Sequence, residues 1–168
     1  MAREGMDRRA YLEGLFGSKA GAAKAHVPVI AMAERLDLPL DLEAITRTPN
    51  TLDAHRLVHW AALEGVADAV MWGLMQGYWA EGLDIGAPEV LAEIGHRHGM
   101  DRAVVARLLA TEADTAEINS RELHARERGI SAVPCFIVND SHVLTGAQDP
   151  ALWAQVIDEL TGAGQPRN

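Results

Sequence analysis

Most of this chain is patterned for helices, yet near its C-terminus it carries a strand that demands a neighbour. In "GISAVPCFIVNDSHVLTGAQDP", Gly129 to Pro150, helical periodicity gives way to strand formers. Cys135-Phe136-Ile137-Val138 reads as the centre of a strand over Val133 to Asn139, followed across a short polar turn by a second strand, His142 to Thr145. An isolated two-stranded hairpin is marginal in water. Consecutive apolar residues are typical of strands covered on both faces, and an open edge of that kind invites aggregation. The sequence thus describes one side of a sheet and implies another.

The remainder is read as helix after helix. Asp7 caps a short helix through Phe16 that Gly17 closes, and Ser18 caps a second running towards Asp37. Pro28 lies inside that second segment and predicts a kink or break near Val27. "LDLPLDLEAI", Leu36 to Ile45, alternates as an extended stretch, which Pro39 confines to a sheet edge or a loop. After a turn, Asn50 or Thr51 caps a helix whose stripe is Leu52, Leu57, Trp60 and Leu63, ending at Gly65. Further helices are predicted over Ala67 to Ala80, Ala87 to His98, Asp101 to Ala110 and Glu112 to Arg128. Pro88 suits a first turn, and Gly99 and Gly129 suit C-terminal stops. Pro150 opens a last helix with Leu152, Trp153, Val156, Ile157 and Leu160 on its inner face, and 161–168 reads as a tail.

Composition narrows the function. With 168 residues one domain is the default, and 48% apolar residues indicate a globular chain. A net charge of −9 argues against nucleic acid and anionic membranes as partners. The single cysteine excludes an intramolecular disulfide and a Cys-rich metal site. The N-terminus has no apolar leader, and no run of about 18 apolar residues occurs, so the chain as written is expected to be cytoplasmic.

Cys135, directly after Pro134, is the candidate for a thiol role, against its reading as a small buried hydrophobe. His55 and His59 stand one helical turn apart near Asp53, and "HRH" follows at His96 to His98. No HExxH frame and no third ligand fixed by spacing accompany them, so no metal is assigned. Trp60, Trp72, Trp79, Met71 and Met75 form an aromatic and methionine-rich zone. It suits core packing between helices or, alternatively, a groove for apolar peptides.

Three stretches together resemble one family. Gly129 to Leu160 resembles the C-terminal half of a DsbA-class thioredoxin-like domain: a Gly-Ile-Ser-x-x-Pro lead-in, an apolar strand, a turn, a strand with Thr-Gly-Ala-Gln, and a closing helix. "EGMDRRAYLEGLFGSKAGA" and "RTPNTLDAHRLVHWAALEG" resemble the helical insertion of the FrnE-like branch of dithiol–disulfide oxidoreductases. The implied fold class is α/β, mostly helical. About 5–128 would form a large insertion with the helix after it, and 129–160 the strand-strand-helix of the thioredoxin part.

The resemblance also implies a site. The family proline matching Pro134 is cis and lies opposite the active-site cysteines, and Val133 offers its backbone to an extended substrate by strand addition. Asn50, Thr51 and His55, with Arg56, match a recurrent motif that faces the thioredoxin half and fixes the insertion by hydrogen bonds; its place near the active-site cleft also offers Asn50, Thr51 and His55 to a substrate. The family's Cys-x-x-Cys, its first strand, first helix and second strand have no counterpart here. Met1 is therefore expected to be an internal methionine of a longer gene product or the boundary of a piece cut from one. The implied function is protein thiol–disulfide exchange or isomerisation on protein substrates, with no cofactor and no turnover by this chain itself. The alternatives are a 2-hydroxychromene-2-carboxylate isomerase or kappa glutathione transferase-like enzyme that binds glutathione, and a non-enzymatic binding protein. A homodimer through strand 133–139 is a further expectation.

Overall fold

The computed structural model describes residues 2–130, 133–139 and 142–162. The chain forms two compact units, Met1–Asn119 and Ser120–Asn168.

The first unit opens with two very short strands, β1 (Met6–Asp7) and β2 (Arg47–Thr48), paired antiparallel with Met6 opposite Thr48. Helix α1 (Arg8–Phe16) follows at once. The Asp7 carboxylate accepts the Ala10 N–H at 2.8 Å, and Gly17, at φ 77°, ends it. The Ser18 hydroxyl caps α2 (Lys19–Arg35) by accepting the Gly21 N–H at 3.0 Å. Against expectation, α2 runs unbroken through Pro28. A proline there deprives the Lys24 carbonyl of its helical donor, but both residues are exposed and water can serve that carbonyl instead. The alternating leucines after α2 form a loop and no strand. Asp41 organises it, its carboxylate accepting the N–H groups of Glu43 and Ala44, each at 3.0 Å. The only strand nearby comes later, as β2.

Helices α3 (Leu52–Leu63), α4 (Ala67–Trp79), α5 (Pro88–Arg97) and α6 (Arg102–Leu109) build the core. Leu57, Trp60, Val70, Leu74, Leu91, Ile94, Met100 and Val105 are all buried in one cluster. The inner face of α3 is Ala54, Leu57, Trp60 and Ala61, at the spacing of one helical stripe. Leu63, expected on that stripe, is 76% exposed instead.

A charged residue also sits in this core. Arg56 is fully buried, and every bond its guanidinium makes is internal. Its Nη1 donates to Asp53 at 2.7 Å and its Nε to the Ala113 carbonyl at 2.7 Å. Its Nη2 donates to the carbonyls of Leu108 at 2.9 Å and Thr111 at 2.8 Å. The guanidinium carbon lies 4.9 Å from the Trp60 ring centre, and the Trp60 indole N–H donates to Asp114 at 2.8 Å. A buried cation is tolerable only when paired and hydrogen-bonded, and here each of the three guanidinium nitrogens donates, Nη1 to a carboxylate.

The boundary between the units falls within α7 (Thr115–Glu127), a polar helix with no buried residue. In the second unit, β3 (Cys135–Val138) and β4 (His142–Thr145) pair antiparallel, Cys135 opposite Thr145 and Val138 opposite His142. Helix α8 (Pro150–Thr161) has Pro150 in its first turn and the Asp149 carboxylate accepting the Ala151 N–H at 3.0 Å. Trp153 of α8 meets Phe136 of β3 edge to face, ring centres 4.7 Å apart. Leu152, Trp153, Val156 and Leu160 are half-buried as the stripe predicts, whereas Ile157 is 55% exposed.

Candidate functional site

The predicted site residues fall into two groups, one in each unit. In the second unit Val133, Pro134 and Cys135 stand consecutively at the head of β3. The Val133–Pro134 peptide is cis. The Gly146 N–H donates to the Pro134 carbonyl at 2.8 Å, and the Gln148 amide donates to the Thr145 carbonyl at 2.7 Å. The Thr-Gly-Ala-Gln stretch thus ties the end of β4 to the residue that opens β3.

That single bond also orients the strand. In an antiparallel ladder, residues alternate between turning both backbone groups to the partner and turning both away. Pro134 turns its carbonyl towards β4, so with the observed register Phe136 and Val138 do likewise. The N–H and C=O of Cys135 and Ile137 therefore point to the other edge. Among the described residues β3 pairs with β4 alone, so that edge is open. Val133 is 90% exposed at its head, and Phe136 is 39% exposed. The Cys135 thiol belongs to a half-buried residue.

In the first unit, Asn50, Thr51 and His55 gather at the start of α3, but their roles differ. Asn50 is a structural clamp: its carbonyl oxygen accepts the Leu52 N–H at 3.0 Å, and its amide donates to the Ala2 carbonyl at 3.4 Å. Gly5 explains why "EGM" and "TPN" occur together. At φ +70° it lies so close to the Thr48 carbonyl that an added Cβ would stand 2.6 Å from that oxygen and 3.0 Å from Pro49 Cα. Arg47 reaches across as well, donating to the Glu4 carbonyl and pairing with Asp84 at 3.2 Å. Thr51 and His55 stay exposed, and Thr51 makes no side-chain cap bond.

Arg56 departs from its expected role, since it turns into the core of its own unit. Sequence reading missed Arg8 too. It is buried, donates to the Tyr78 hydroxyl at 2.9 Å, and lies 5.7 Å from the Trp79 ring centre. An arginine within a capped first turn gives no sign of such burial. The methionine and tryptophan zone divides: Trp60 belongs to the core, while Met71, Trp72, Met75 and Trp79 of α4 are exposed. A cleft of about 210 Å³ opens between α4 and α5, with Gly73 and Gly77 in one wall and Ile94 and His98 in the other. None of the predicted site residues lines it. Among the described residues no group of three or more His, Cys, Asp or Glu side chains could hold a metal ion. No helix there is long and apolar enough to cross a membrane.

A family model described as the DsbA-like thioredoxin domain matches residues 4–158. The chain belongs to the DsbA-like thioredoxin family. No protein of curated function matches it. Among solved structures it is similar to a probable DsbA oxidoreductase from Streptomyces coelicolor. The identity is 24%, the TM-score is 0.85, and the match covers 99% of this chain and 73% of that one. This likeness establishes the fold. As a DsbA-like chain the protein has a thioredoxin-like α/β fold dominated by helices.

Proposed function

We propose that this DsbA-like chain serves protein thiol–disulfide exchange in the FrnE-like branch, and that β3 positions the substrate polypeptide. The observation that carries the reading is the open edge of β3, with Val133 exposed ahead of Pro134 and backbone groups of Cys135 and Ile137 turned outward. An extended segment adding to such an edge gains main-chain hydrogen bonds that are indifferent to its sequence. That suits an activity on many unfolded proteins. Thr51 and His55 are the remaining polar residues offered to a substrate, and Asn50 holds their helix start in place.

Strand addition makes Val133 important for its backbone and not for its side chain. Val133→Pro removes the N–H, whereas Val133→Ala keeps it. Binding of a reduced, carboxymethylated unfolded protein is expected to weaken about tenfold for Val133→Pro, the equivalent of roughly 1.4 kcal/mol, and to change less than about twofold for Val133→Ala. Fluorescence anisotropy reads both, and equal effects would refute the backbone role.

The chemistry of exchange needs a thiolate attacking a disulfide and a second thiol to resolve the mixed disulfide. This chain holds one cysteine, so it cannot cycle between dithiol and disulfide within itself. The 168-residue chain is expected to reduce insulin no faster than buffer containing the same reductant. A rate several-fold above that background would show that Cys135 turns over alone.

A further inference from the structure

Helix α4 is apolar on both sides, and only one side has a use within its unit. Val70, Leu74, Gly77 and Tyr78 face the core. The opposite side carries Met71 at 37% exposure, Trp72 at 50%, Met75 at 48% and Trp79 at 36%. At 100° per residue these four project within one continuous sector, and Asp68, also exposed, falls inside it. Large side chains grouped in this way mark an interaction surface, since isolated exposed apolar residues are usually scattered. Methionine adapts its shape and tryptophan offers a broad flat face, which together suit a partner of variable sequence.

The charges around this face select the occupant. No Lys or Arg lies between Ala67 and Trp79. Glu64 precedes the helix, Asp68 lies on the face, and Glu81 follows the last turn. The nearby cations are already engaged. Arg8 is buried against Tyr78 and Trp79. Arg97 donates to Glu93 at 3.2 Å and is 4.0 Å from Glu81. Two copies of this face would bring like charges together, which disfavours self-pairing.

We propose that the outer face of α4 docks a basic, apolar polypeptide segment, with Met, Leu or Phe side chains seated among Met71, Trp72, Met75 and Trp79 and Lys or Arg side chains against Glu64, Asp68 and Glu81. The docking is independent of thiol exchange and of the β3 edge, so each stands or falls alone.

The test uses the full chain and a synthetic twenty-residue peptide of leucine, methionine and lysine, with a twin carrying glutamate for lysine, followed by intrinsic tryptophan fluorescence. Micromolar binding of the basic peptide is expected, with the acidic twin at least tenfold weaker and affinity falling as salt rises. Trp72→Ala with Met75→Ala should cost at least tenfold, and because both residues are exposed the double variant keeps its helical circular dichroism. Asp68→Lys should cost several-fold, while Glu89→Lys on α5, an equal change of charge elsewhere, should cost less than twofold. Equal binding of the two peptides, equal effects of the two charge reversals, an unchanged double variant, or a dimer that Trp72→Ala dissolves would each overturn the proposal.

Discussion

Replacing Arg56 by methionine should lower stability by about 3–5 kcal/mol, the usual cost of removing one partner from a buried ion pair. Methionine fills much of the space but leaves Asp53 without its cation and the carbonyls of Thr111 and Ala113 without the guanidinium donor, while the Leu108 carbonyl keeps the Thr111 N–H and hydroxyl. Each orphaned buried acceptor carries a desolvation cost of about 1–3 kcal/mol where water cannot reach it. Arg56→Lys should recover only part of the loss, because one ammonium cannot span Asp53 and the three carbonyls that a planar fork reaches. Urea unfolding followed by circular dichroism measures both. A midpoint within error of the wild type for Arg56→Met would show that the buried network contributes nothing.

Gly5→Ala is the other large effect expected. Two costs coincide there. The left-handed conformation costs a residue with a Cβ about 1–3 kcal/mol, and the new methyl group would press on the Thr48 carbonyl oxygen at 2.6 Å, which is backbone and cannot step aside. The sum is about 2–6 kcal/mol, since overpacking alone typically costs about 1–3 kcal/mol. Gly17→Ala is the control. It has a similar φ of +77° but nothing within 4 Å of its would-be Cβ, so only the conformational cost remains. Thermal melts of the two variants should separate clearly, and equal shifts would mean that the contact with β2 is unimportant. Displacing Gly5 should also loosen Asn50, whose amide reaches Ala2 across the same contact.

Local chemistry made much of the fold legible. Asp7, Ser18 and Pro150 mark helix starts that the structure places at the same residues, because caps and first-turn prolines act within one turn of chain. The change of period after Gly129 located β3 and β4 for the same reason. Contacts between distant segments were not legible. The β1–β2 pair is two residues long and joins positions some forty residues apart, too brief for any alternation to announce it. Arg56 looked like part of a motif facing the thioredoxin half because most of its partners are backbone carbonyls around residues 108–113, which leave no trace in side-chain pattern. Pro28 misled in the opposite sense, since a helix exposed at that point can lose one hydrogen bond to water and continue.

The apolar strand was read as one that demands a neighbour on a second edge, and for the site that reading matters most. Its sequence implied an unsatisfied neighbour, and the register then identified which backbone groups await one. Cys135 draws attention as the only thiol, yet Val133 and the outward groups of Cys135 and Ile137 carry the recognition argument through main-chain atoms, which any residue but proline at those positions would leave in place.

Loops are ordinarily where a protein tolerates insertion and deletion. The turn between α6 and α7 is an exception, because Arg56 draws in the carbonyls of Leu108, Thr111 and Ala113, and Trp60 holds Asp114 one residue further on. The spacing of those four positions is fixed by two side chains one turn apart on a rigid helix. A single residue added or removed there would put every later partner out of step, so the length of this connection is set by α3 as firmly as any residue in the core.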